Sequence, residues 1–283
     1  MSMRNEIIEH LGSVANIPAF IGQIIAELQK SEVDITTVVE LIEMDPSLTT
    51  SVLKLVNSSA FAAEHPISSM HEASVRLGSY NLMQMVIGSS MAKVMAADVP
   101  GYDLPSGELW RASISAAIFT DVITDVLQIK APGHTFTAGL LRDVGKIVLG
   151  SYVKVDVEGI LKYALENDVS FPEAEYAILG IDHAEVGAVL MRRWRLPEEL
   201  CTPVRWHHRP EDATSEQLVT CIVHLADILT SMSGTGVGTD GLLYNVSPIV
   251  VDVLKLKLND IEKMMCLGMA QIAQAGDMFE NQG

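Results

Sequence analysis

The chain has 283 residues, 48% of them hydrophobic but only 5% aromatic, and a formal net charge of −17. Such acidity argues against nucleic acid and anionic membrane as partners, since both need clustered Lys and Arg. Cys201, Cys221 and Cys266 show no CxxC spacing, which argues against a disulfide framework and reads as reduced thiols in a cytoplasmic protein. Met1 to His10 lacks the apolar stretch of a signal peptide, and no uncharged run approaches the ~20 residues that span a bilayer. A core of Leu, Ile, Val, Met and Ala with few aromatics leans helical.

In chain order, Ile17-Pro18 opens a helix with Phe20, Ile21, Ile24, Ile25 and Leu28 on one face. Asp34 is placed as the N-cap of a second helix carrying Val38, Leu41 and Ile42, and Asp45-Pro46 starts a third by the same logic. Asn57-Ser58-Ser59 ends that third helix. A short helix from Met70 stops at Gly78, and another runs from about Asn81 to Ala97. The stretch from Asp98 to Pro105 holds two prolines and a glycine, and serves as the internal boundary between residues 1–104 and 105–283. A long helix then runs to about Gln128, with Leu109 and Trp110 near its start. Gly139 to Asp143 follows as a buried helix, and Phe171-Pro172 starts another. Asp182, with Glu185 three residues on, reads as a capping box. Leu196-Pro197 begins a helix that ends near His207-His208, and Leu218 to Met232 is amphipathic. Ser233 to Gly241 is a glycine-rich loop that resembles a phosphate loop only in composition. No alternating segment exceeds four or five residues, so the reading is all-α with twelve or more helices.

The adjacent charges Arg142 and Asp143, set in an apolar run, demand buried partners or a metal. Asp143, His183, His207, His208 and Asp227 all lie in the second half, on or near helix ends. Imidazole plus carboxylate is an ordinary ligand set for iron, manganese, nickel or zinc, though internal histidines more often just hydrogen-bond within a core. Trp194 and Trp206 stand among Arg192, Arg193, Arg195, Arg205 and Arg209, a cluster that suits a nucleotide or anion, or a solvated face paired with Glu198 and Glu199.

Several blocks together carry a family resemblance. Asp45-Pro46-Ser47-Leu48 with Leu53 to Phe61, then Ala73 to Gly78, Leu109-Trp110, Gly139 to Lys146, His183 to Gly187 and His207-His208 resemble the HDOD proteins. These are bacterial signalling domains related to HD phosphohydrolases, and the likeness spans about residues 12 to 230. It implies an all-α, HD-domain-like multi-helix bundle with an N-terminal helical subdomain. The HD metal set is an early His, a His-Asp doublet and a later Asp. In this chain Ala112 takes the early position and Arg142 replaces the doublet His, while Asp143 and Asp227 match the two acids. His183, His207 and His208 match extra histidines of the HD-GYP branch. Arginine stays protonated and offers no lone pair, so Arg142 beside Asp143 and Asp227 would stand in for one metal by its charge. A second site of Asp143, His183, His207 and His208 could hold a divalent transition metal. The resemblance therefore implies a regulatory domain that binds signalling proteins, or a nucleotide or phosphate ligand in its cleft. The alternative is a metal-dependent phosphohydrolase or phosphodiesterase with an altered site.

Overall fold

The computed structural model describes residues 3–14, 32–57, 66–240 and 245–275, with a few positions between 23 and 30. The helix expected after Ile17 and the segment from Ser58 to Phe61 lie largely or wholly outside the described residues. Among the described residues there are fourteen α-helices and no strand. The N-terminal part holds α1 (Met3–Val14), α2 (Ile35–Glu43), α3 (Pro46–Val56) and α4 (Met70–Met95). The second part holds α5 (Glu108–Leu127), α6 (Thr135–Leu141), α7 (Lys146–Val153), α8 (Val157–Asn167), α9 (Phe171–Leu179) and α10 (His183–Arg193). It continues with α11 (Glu198–Trp206), α12 (Gln217–Met232), α13 (Pro248–Leu254) and α14 (Leu258–Gln274).

Local chemistry sets the helix starts. The Asp34 carboxylate accepts from the backbone N–H of Thr36 at 3.0 Å, and α2 buries Val38, Val39 and Ile42. Asp45 accepts from Ser47 N at 2.8 Å and Leu48 N at 3.1 Å, with Pro46 in the first turn where its missing N–H is harmless. Asn57 ends α3 and pairs with both backbone groups of Ile67, at 2.7 and 2.8 Å.

Gly78 breaks the helical path as its sequence position implies, but the two flanking helices meet there as the arms of one kinked element, α4. Its φ of 72° and ψ of 169° lie where a side chain is strained, and an added Cβ would meet nothing within 4 Å. Gly78→Ala is therefore expected to lower stability by about 1–3 kcal/mol through the backbone alone. Chemical denaturation reads this directly, and an unchanged midpoint would contradict it.

The stretch before α5 buries Val99, Gly101, Tyr102 and Leu104. It forms a 3-10 turn, Pro100–Tyr102, closed by backbone pairing of Val99 with Leu104. Tyr102 is fully buried and reaches into the second part. Two helices form the centre: α5 is buried without a break from Ala112 to Thr120, and α12 from Val219 to Thr230. The expected amphipathic character of α12 is thus a misreading. Its polar residues, His224 and Asp227 among them, face protein partners rather than water. Helices α6, α11, α13 and the 3-10 turn Pro210–Asp212 pack around α12, while α14 closes over α5.

Candidate metal centre

The apolar helix α6 ends at Leu141, and the turn that follows carries Arg142 and Asp143, each 2% exposed. Gly145 closes that turn against the start of α10. A Cβ there would sit 2.0 Å from the His183 carbonyl oxygen and 2.5 Å from Gly187 N, so backbone meets backbone. This contact sets Asp143 beside His183, the first residue of α10. Asp182 caps α10 by accepting from Glu185 N at 2.6 Å. The reciprocal half of the expected capping box is not made among the interactions of Glu185. Its carboxylate instead takes Arg205 at 2.9 Å and Arg4 at the N-terminus. Helix α11 ends at Trp206 and delivers His207 and His208 from the turn that follows.

Four donors converge: one atom each from Asp143, His183, His207 and His208, all within 4.8 Å of one another. Asp143 Oδ1 lies 3.4 Å from His183 Nε2 and 3.9 Å from His207 Nε2. His183 Nε2 faces His208 Nε2 at 2.8 Å. The second ring nitrogens are held from behind. His183 Nδ1 is 2.8 Å from the Glu175 carboxylate, which also accepts His183 N at 3.0 Å and the Tyr102 hydroxyl at 2.5 Å. His207 Nδ1 donates to the Val204 carbonyl at 2.8 Å, leaving Nε2 as a lone pair. His207 Nε2 and Asp143 Oδ1 are buried and hydrogen-bonded to nothing. Two orphaned acceptors facing each other are costly in an interior unless a cation sits between them. The residues therefore fit a divalent ion: the donors are imidazole and carboxylate, and two of the three rings are oriented by a partner behind them.

The electrostatics favour a neutral donor at two of the three rings, His207 and His208. Burial disfavours a charged His183, but Glu175 and Asp143 outweigh it and push the ring up to about 10. Burial takes His207 down to about 4, and burial with its two neighbouring rings holds His208 well below the usual range. Burial would raise Asp143, yet Arg142, Lys146 and His183 hold its carboxyl well below the usual carboxylate range.

Asp143 divides its two oxygens. Oδ1 faces the histidines, whereas Oδ2 pairs with Arg142 and with Lys146, each at 3.1 Å. Arg142 Nε donates to Asp227 Oδ1 at 2.6 Å, and its Nη1 donates to the carbonyls of Ala112 and Gly139 at 3.3 and 3.4 Å. Asp227 thus faces the guanidinium and lies outside the four-donor group, its other oxygen 3.9 Å from His208. Ala112, which stands at the early-histidine position of the HD set, offers the guanidinium its carbonyl.

Four participants escaped the sequence reading as site residues: Lys146, Asp240, Glu175 and Tyr102. Lys146 pairs with Asp240 at 2.6 Å, and burial is overridden by Asp143, Asp240 and Asp227 so that its ammonium is held charged. Asp240 comes from the glycine-rich segment after α12, which packs down as a strap. Gly236 lies against Ala112, and Thr239 N donates to the Tyr102 carbonyl at 2.9 Å. Four buried carboxylates (Asp143, Asp227, Asp240, Glu175) face two buried cations, an excess of two formal negative charges when the histidines are neutral. Glu175 carried one readable signal, because it stands with Phe171, Ala174 and Leu179 on the apolar stripe of α9.

The remaining expected residues do other work. His224 donates from Nδ1 to the His207 carbonyl at 2.6 Å and accepts Ser247 N at 3.1 Å, so both nitrogens are used in fixing the His207 turn. In the Arg-Trp cluster the exposed Arg192 pairs with Glu198, whereas Arg205 is mostly buried and pairs with Glu185 and Asp182.

Comparisons with known proteins agree with this architecture. The family model described as HDOD domain matches residues 14–210. An uncharacterized protein of Treponema pallidum is 24% identical over 211 residues, which is 74% of this chain but 40% of that protein. The chain thus spans well under half of that relative's length. A crystal structure of an HDOD domain protein of unknown function from Geobacter sulfurreducens is similar at a TM-score of 0.72 and 22% identity, covering 99% of this chain and 97% of that one. A candidate phosphohydrolase from Shewanella amazonensis is similar at a TM-score of 0.69 and 20% identity, covering 96% and 97%. Among the described residues no helix is long and apolar enough to cross a membrane.

Proposed function

The chain belongs to the HDOD domain family, and from that premise we propose that it is a regulatory member, a signalling domain that works through ligand or protein binding rather than turnover. The observation that carries this reading is Arg142, a buried guanidinium bridging Asp143 and Asp227 where the related hydrolases place a metal ligand. A fixed positive charge there holds the two acids together and repels an ion from the same position. Lys146 and Asp240 complete the substitution, and the strap with Gly236 fills the space next to Ala112.

The second position stays open to an ion. Asp143 Oδ1 and the Nε2 atoms of His183, His207 and His208 would hold one divalent transition metal, and Glu175 and the Val204 carbonyl would keep two of the rings aimed at it. A bound ion would supply Lewis acidity toward a ligand oxygen. Asp143 shares its charge among Arg142, Lys146 and the histidines, which weakens it as a base for activating water.

A second reading, a one-ion phosphohydrolase, is favoured by the orphaned pair Asp143 Oδ1 and His207 Nε2 and by the description of the Shewanella protein. Assays of phosphomonoesters, nucleotides and cyclic dinucleotides with manganese, iron or nickel separate the two. The expected result is no turnover above that of the Asp143→Ala variant. Turnover by the unaltered protein that disappears in this variant would replace the regulatory reading with the second.

A further inference from the structure

A cleft of about 270 Å³ is lined by His208 of the four-donor group. Tyr176 and Arg209 line it, together with the acids Glu173, Asp182 and Glu211. Each acid already has donors. Glu173 takes Ser170 N and the Ser170 hydroxyl at 2.8 and 2.7 Å. Asp182 takes Glu185 N and faces Arg205, and Glu211 takes the Ser247 hydroxyl at 3.1 Å.

Arg209 differs. Its guanidinium lies 5.4 Å from the Trp206 ring centroid and 5.7 Å from that of Tyr176, so two aromatic faces hold it in place. Its nearest carboxylates, Asp182 and Asp212, stand at 3.6 and 3.8 Å, beyond hydrogen-bond reach. A planar fork of five donors is thereby pre-positioned at the cleft, its side chain 34% exposed, loosely ion-paired with Asp182 and Asp212 but with no hydrogen bond to either.

We propose that this cleft binds a small molecule bearing an oxyanion group, phosphate or carboxylate, with Arg209 as its anchor and the Tyr176 ring as its wall. The proposal rests on the reading of the cleft as a ligand site and adds the residue and the ligand chemistry. An oxyanion matches the fork with two parallel charge-assisted hydrogen bonds. Only one end of the ligand is fixed by Arg209, and the other is left to extend toward His208.

The test is calorimetric titration of the full chain with phenyl phosphate and with benzoate, each in EDTA and again after manganese loading. Wild type is expected to bind at least one probe in EDTA. Which probe binds more tightly assigns phosphate or carboxylate. Arg209→Gln should weaken that binding about tenfold or more, the size of a charge-assisted hydrogen-bond pair. Arg209→Lys should fall between, since it keeps the charge and loses the fork, and both variants should unfold at the wild-type midpoint. Binding that needs manganese, or equal affinity in wild type and Arg209→Gln, overturns the role of Arg209 while the ligand-site reading survives. No binding of either probe under either condition overturns both.

Discussion

Replacing Arg142 with methionine is expected to destabilise the fold by about 3–5 kcal/mol, the range for removing one partner of a buried ion pair. The guanidinium is 2% exposed and joins Asp143 to Asp227, so its loss leaves both carboxylates short of a cation. Lys146 still faces Asp143, which sets the lower end of that range. The pH dependence gives a second signature. The carboxyl of Asp143 is held well below the ordinary value near 4, so in wild type its stabilisation is present above that value and fades as pH falls toward the folded value. In the variant the largest counterweight to burial is gone and the Asp143 carboxyl rises. The gap between variant and wild type should therefore shrink on acidification below about pH 5. Urea denaturation at pH 7 and at pH 4 measures both numbers. A gap under ~1 kcal/mol at pH 7, or one that widens in acid, would remove Arg142 from its structural role.

Gly145→Ala is expected to be as damaging by a different route. The new methyl would lie 2.0 Å from the His183 carbonyl, and the atom it meets is backbone that has no rotamer to yield. The turn carrying Asp143 must separate from the start of α10, at about 3 kcal/mol or more for overpacking against backbone. The same displacement pulls Asp143 Oδ1 away from His183 Nε2, now 3.4 Å apart. Affinity for manganese should then fall at least tenfold, by order of magnitude for misplaced ligands. Equilibrium metal titration beside a denaturation curve checks the two effects together. Stability lost with metal affinity intact would show that the glycine serves packing alone.

Much of this molecule was legible because its causes are local. Asp34, Asp45 and Asp182 bond within three residues of themselves, so their caps and the helices after them follow from spacing. Gly78 announces its break by being glycine at the end of an apolar stripe. The four-donor group was legible as residue types near helix ends, and the pairing of Arg142 with Asp227 as charge seeking charge. The misses are long-range. Glu185 satisfies half of a capping motif, but two arginines from distant segments take its carboxylate. The polar residues of α12 look like a solvated face until the turn after α6 and the start of α13 bring partners to them. Lys146 and Asp240 lie 94 positions apart and meet only because the strap folds back onto Tyr102. Nothing in the periodicity of either segment marks that meeting.

Arg142 is proposed to fill one ion position and to leave the other open. Elemental analysis of protein saturated with manganese or iron and then desalted without chelator tests this most directly. One ion per chain is expected, reduced to none when His207 and His208 are both changed to alanine and retained in Arg209→Gln. Two ions per chain would show that Arg142 displaces nothing, and none in the unaltered protein would show that the four donors are a core network without a metal.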